Sequence, residues 1–180
     1  MNINIILPYK ETYSEELAGA VSLLIAEVKN RCKFKKNIKI FGSLILKKPL
    51  TKDYISCDLS DKPFYYIFGR TSYYLKNIKK KILKKSIIEI HNRPQAANFF
   101  INNNNNNKII LYFHNDPLTL RGSKYVYQRI HLLKNLDKLI FVSEWTKRQF
   151  FKDLPVKDSE KSFVIYPGSN LLKKIPKKKK

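Results

Sequence analysis

Short apolar runs, each closed by a turn former or a histidine, set what this chain can fold into. Ile3–Leu7 stops at Pro8, Ile38–Phe41 at Gly42, and Ile87–Ile90 at His91-Asn92-Arg93-Pro94. Ile109–Phe113 stops at His114-Asn115-Asp116-Pro117, and Phe163–Tyr166 at Pro167-Gly168. Leu139–Val142 leads into Ser143-Glu144-Trp145, and Tyr54–Cys57 is a further run of this kind. The runs are continuously apolar, the pattern of strands buried on both faces. Stretches of helical period lie between them. Leu17, Val21, Leu24, Ile25 and Val28 share one helix face, as do Tyr74, Ile78 and Ile82 within about 64–85. Gln95–Ile101 makes a short helix, Val126, Ile130 and Leu133 mark one over Ser123–Leu136, and two turns run to Phe151. Strands alternating with helices predict an α/β domain, a doubly wound parallel sheet with both faces covered.

The 180 residues fit one domain, and a hydrophobic share of 43% supplies its core, which excludes disorder throughout. Lys and Arg number 36 against 14 Asp and Glu, a formal net charge of +22. Such a field attracts nucleic acid, anionic lipid head groups and phosphorylated substrates, and does not choose among them. The abundance of Lys, Ile and Asn also fits a plain compositional habit. Nucleic-acid-binding motifs are absent and aromatics do not interleave with the basic runs, so no specific nucleic-acid partner is expected. Cys32 and Cys57 lie in no C-x-x-C pair and read as reduced thiols. Met1 opens directly on an apolar strand with no basic region before it, which is not a signal peptide. No run approaches a membrane span. The expected location is cytoplasmic, with peripheral attachment to a membrane the furthest alternative. Asn102–Asn107 is a low-complexity loop, and Lys173–Lys180 reads as a linker or a cut end.

In open parallel sheets ligands bind at the carboxyl ends of the strands, so the residues just after strands are the candidates for chemistry. Gly19-Ala20 opens the first helix with no G-x-G-x-x-G and no Walker lysine, so it reads either as close helix packing or as a place where a ligand approaches backbone. His91 and His114 each end a strong apolar strand. A neutral imidazole there suits proton transfer to or from a hydroxyl, and the matching positions favour that over a loop hydrogen bond. Arg93 and Arg121 flank these turns and suit a bidentate grip on phosphate. Asp116 either fixes a histidine or hydroxyl, or is a turn residue before Pro117. His131 lies inside a helix and reads as structural. No His, Cys, Asp and Glu spacing matches a metal site, and no cofactor is expected. The lysine-rich stretch Lys76–Lys85 is either a solvated face or a membrane-surface helix with Phe68, Tyr73 and Tyr74 at the interface.

Taken in order, the motifs resemble glycosyltransferase family 4. Leu17-Ala18-Gly19-Ala20-Val21-Ser22 is similar to that family's glycine-rich first turn, with Ala20 where a second Gly is usual. Ile88-Glu89-Ile90-His91-Asn92-Arg93-Pro94 and Ile110-Leu111-Tyr112-Phe113-His114-Asn115-Asp116 resemble its strands ending in His. Lys138–Thr146 resembles its strand-then-Ser segment, and Val164–Asn170 its link into a second domain. The resemblance implies a GT-B fold of which residues 1–170 are the Rossmann-like N-terminal, acceptor-side domain and 171–180 a basic linker toward a C-terminal domain. It implies a nucleotide-sugar donor, a glycan or glycolipid acceptor, and work on lipopolysaccharide or another surface glycan at the inner membrane. By that resemblance Gly19 and Ala20 approach the donor, and His91 lies at the reacting centre with His114 close by. Asn92, Arg93, Asp116 and Arg121 face the acceptor. The donor-binding half is expected elsewhere, leaving this chain alone with little or no transferase activity. The alternative reading is a basic membrane-surface or nucleic-acid-binding module without catalysis.

Overall fold

The computed structural model describes residues 1–59, 69–103 and 106–168. Residues 64–68 of the second expected helix, Phe68 with them, the middle of the asparagine tract, Ser169-Asn170 and the basic tail lie outside the described residues.

The expected alternation forms. Strands β1 (Ile3–Ile6), β2 (Ile38–Gly42), β3 (Tyr54–Ser56), β4 (Ile87–His91), β5 (Lys108–Phe113), β6 (Lys138–Phe141) and β7 (Ser162–Val164) make one sheet in the order β3-β2-β1-β4-β5-β6-β7. Every pairing in it is parallel. The helices are α1 (Ala20–Arg31), α2 (Arg70–Lys81), α3 (Pro94–Asn102), α4 (Val126–Asn135) and α5 (Glu144–Phe151). This is a Rossmann-like doubly wound fold. The order reverses between β1 and β4, where the chain stops building one way and starts building the other.

Side chains sort to the two faces by strand period. Ile6, Phe41, Ile88, Ile90, Leu111, Phe113 and Phe141 point to one side and form a single core with α2, α3, α4 and α5. Ile5, Leu7, Ile38 and Ile40 point to the other and pack with Ile25 and Ala26 of α1. Among the described helices, four cover one face and one covers the other. Both faces are covered, as expected. Along β4 and β5 the helix-rich side is buried, while Ile87, Glu89, Ile110 and Tyr112 on the thin side stay half-buried.

Two helix faces also differ from the expected ones. Leu17 precedes α1 and is exposed, as is Val28. The buried face of α1 is Ser22, Ile25, Ala26 and Lys29, with the Lys29 ammonium ion-paired to Asp53 just before β3. On α4 the buried residues are Arg129 and Leu132, and Val126 is exposed. Arg129 is among the largest fully buried side chains because its guanidinium donates to the carbonyls of Ser123, Lys124 and Lys152 at 3.2, 3.0 and 2.6 Å. Charge satisfied by backbone does not show in an apolar period.

Tyr74 of α2 ties together the carboxyl ends of β1 and β2. Its hydroxyl reaches the carbonyls of Leu7 and Phe41, each at 3.1 Å, from a fully buried ring. Burial raises its pKa far above the ordinary phenol range. Replacing Tyr74 by Phe removes that donor from two buried carbonyls and leaves the ring packing intact. We expect Tyr74→Phe to fold and to lose about 1–2 kcal/mol in urea denaturation; an unchanged midpoint would show that the hydroxyl holds nothing.

Candidate active site

Two of the hollows at the carboxyl edge of the sheet border the candidate residues. The first is a crevice of about 310 Å³ at the reversal between β1 and β4. Its floor is Leu7, Tyr74, Leu75 and Ile90, and its rim carries Tyr9, Asn92, Arg93, Gln95 and Arg121. The second is a shallower groove of about 500 Å³ on the α1 side, between Ala20, Leu24 and Glu27 on one wall and His114, Asn115 and Pro167 on the other. The residues expected to act together are therefore divided. Asn92, Arg93 and Arg121 border the crevice, Ala20 and His114 border the groove, and His91 is buried between them.

The division follows from strand register. His91 pairs with Tyr112 across β4 and β5, and their rings stack with centroids 4.6 Å apart. Two residues on, His114 leaves β5 on the same face and stacks on His91 at 5.1 Å. Nδ1 of His91 lies 2.8 Å from Nε2 of His114. Two residues back on β4, Glu89 places its Oε1 2.8 Å from Nε2 of His91. Carboxylate, imidazole and imidazole form one hydrogen-bonded line. Burial, and then the neighbouring His91, push the His114 pKa down to about 4. Burial, with the Glu89 charge second, raises that of Tyr112. Glu89 and Tyr112 are functional candidates the motif reading passed over. The signal for Glu89 was there, a lone acid in an apolar strand two residues before His91, hence on its face.

Asn92 holds the two histidine turns together. Its backbone is left-handed at φ 55°, and its Oδ1 accepts from the N–H of Asn115 at 3.2 Å and of His114 at 3.4 Å. Arg93 donates to the Asn92 carbonyl at 3.1 Å. Arg121 is carried over the start of α3 by Gly122, whose φ is +97° and whose missing Cβ would sit 2.7 Å from the Gln95 nitrogen. Among the described residues the crevice lining contains no Asp or Glu to neutralise these arginines. Asp116 does what its turn position suggested. Its Oδ1 accepts from the Leu118 N–H at 2.9 Å and its carbonyl from Thr119, and it lines neither hollow. Gly19 caps α1, and a Cβ there would lie 2.8 Å from Oε1 of Glu11. The Ser22 hydroxyl donates to that same oxygen at 3.2 Å, so a carboxylate of the chain itself sits beside the first turn of α1. His131 is exposed and touches Asn135 on its own helix. Among the described residues no three His, Cys, Asp or Glu gather in a metal-binding group, and both cysteines are free.

The class that the structure defines is a Rossmann-like domain, with paired histidines at the carboxyl ends of β4 and β5. Compared with known proteins, the chain matches no family model and no curated protein.

His114 yields a pH prediction with a definite sign. Its pKa falls from 6.5 in an unfolded chain to about 4 in the fold. Between those values the unfolded state binds the extra proton, so stability falls as pH drops from 6.5 to 4 and is level outside that window for this group. Thermal melts of wild type and His114→Gln should converge as pH is lowered through it. Parallel curves would mean that His114 titrates normally in the fold.

Proposed function

We propose that this chain is the acceptor-side domain of a nucleotide-sugar-dependent glycosyltransferase that builds lipopolysaccharide or another surface glycan. The observation that carries the reading is the hydrogen-bonded pair His91 and His114 at the carboxyl ends of β4 and β5, next to the reversal of a parallel sheet, with a crevice and a groove beside it. The crevice suits the acceptor. It offers an apolar floor for a sugar ring and two arginines for a phosphate on the acceptor. The groove beside Gly19 and Ala20 suits the edge of a donor sugar held by a second domain. His114, on the wall of the groove, lies where the acceptor's reacting hydroxyl would meet that sugar, with His91 buried behind it. The proposal includes no metal and no cofactor.

Sugar transfer tests it, measured with this domain joined to a donor-binding domain and a panel of nucleotide sugars. His91→Ala and His114→Ala should each lower transfer at least about a hundredfold, within the range for positioned acid–base groups. Transfer that survives both unchanged, or steady transfer by the 180-residue chain alone, would overturn the respective part of the reading.

A second reading, attachment to an anionic membrane surface, has its own support. Tyr73, Ile82 and Phe99 line a shallow hollow ringed by Lys76, Lys80 and Lys84 on the α2 side. Lysines around an apolar patch suit an anionic interface. Among the described residues no helix is long and apolar enough to cross a membrane. Co-sedimentation with phosphatidylglycerol vesicles at physiological salt should drop at least about fivefold in a Lys80→Glu/Lys84→Glu variant, since each basic residue contributes on the order of 1 kcal/mol. Equal binding by the variant would reduce the basic face to solvated surface.

A further inference from the structure

We propose that Glu89, His91 and His114 work as one proton relay, with Nδ1 of His114 as the base that takes the proton of a hydroxyl held in the groove beside α1. The inference rests on the glycosyltransferase reading only for the identity of that hydroxyl.

Bonding rules fix the direction of the line. An ionised Glu89 only accepts, so Nε2 of His91 carries a hydrogen toward it. Neutral His91 then has its lone pair on Nδ1, and the hydrogen between the rings belongs to Nε2 of His114. That leaves the lone pair of His114 on Nδ1. This atom makes no hydrogen bond among the described residues, and its ring borders the groove. Each tautomer follows from the one before it, and the series begins at a carboxylate that no motif included.

The relay also removes a difficulty. Burial and the His91 neighbour make a cationic His114 unfavourable, so the outer ring alone is a poor home for a proton. His91 offers the relay a second place for it. It lies between the Glu89 carboxylate and the face of Tyr112. As Nδ1 of His114 takes the hydroxyl proton, its Nε2 hydrogen passes to Nδ1 of His91. One O–H bond breaks at the ligand and one N–H bond forms at His114. A second N–H bond breaks at His114 and a second forms at His91. His114 ends neutral, His91 ends as an imidazolium paired with Glu89, and the hydroxyl oxygen keeps its electron pair for attack on the electrophilic carbon of the donor. No oxidant or reductant is needed. The groups facing this pair are Glu89 from β4, Tyr112 from β5 and Glu27 across the groove from α1. Asn92 and Asn115 are neutral. Glu89 and His91 are thus positioning residues, and His114 alone faces the ligand.

Nitrogen-15 NMR of the imidazole rings in the full chain tests the relay without any substrate. At neutral pH both rings should carry their hydrogen on Nε2, and on acidification the first proton should appear on Nδ1 of His91. Glu89→Gln should lower the midpoint of that first step by about one pH unit or more, the tenfold effect of losing a neighbouring carboxylate. A His114 protonated at Nδ1 at neutral pH overturns the proposal even if no variant folds, and so does a midpoint that Glu89→Gln leaves in place. Reaction with diethyl pyrocarbonate gives an independent check, with His114 modified and His91 spared; the reverse order overturns the assignment of the outer base. Neither measurement depends on sugar transfer. A relay that behaves as stated in a protein that never transfers sugar would sink the functional reading and leave the relay standing.

Discussion

Ile5 of β1 sits between Ile40 of β2 and Glu89 of β4, and parallel pairing through that row dictates where everything else goes. Parallel neighbours cannot be joined by tight turns, so each connection must cross a face of the sheet and return. All strand exits then lie along one edge. Crossovers are right-handed, so connections running in opposite directions across the sheet use opposite faces. The first, through α1, takes one face, and the return from β3 through α2 and the connections after β4 take the other. Where the directions part, no crossover fills the edge, and the crevice is the space left over. Tyr74 closes its back by holding the ends of β1 and β2.

The uneven cover that results explains how an acidic residue survives in the middle of β4. A carboxylate between two fully covered faces would be costly unless paired and hydrogen-bonded. Glu89 points to the side with one helix, keeps 18% of its side chain exposed, and spends its acceptor on His91. His91 is in turn nearly sealed, so both its nitrogens need partners, and it has them in Glu89 and His114. The line of three is consistent with polar satisfaction at each member. Structural need and chemical capacity coincide here, and proton position is the observable that separates them.

How much of this was legible varies with the kind of signal. The strands were plain because a run such as Ile109–Phe113 has one reading once helices flank it. The histidines were legible because they end such runs. Helix faces were not. Leu17 and Val28 continue the apolar period of α1, yet the helix begins at Ala20 and turns Lys29 inward to Asp53. Arg129 is hidden among carbonyls three elements apart, and no local pattern announces that. Asp116 was balanced between roles, and its geometry is that of a turn. The split between crevice and groove depends on which face each residue takes after its strand ends, which residue order alone does not encode.

Charge offers the same lesson at larger scale. A net of +22 describes the whole surface, and lysines dominate it. Lysines scattered over solvated helices are screened within about 8–10 Å at physiological salt and give affinity without address. Arg93 and Arg121 differ in surroundings, not in sign. They share the rim of a concave site, one of them placed by a turn that needs Gly122, and among the described residues no carboxylate lines the hollow beneath them. A ligand carrying phosphate meets a field there that is focused by shape as well as charge. For a chain this basic, what marks a site is where positive charge stays uncompensated against a cavity, and the sum over the sequence says little about it.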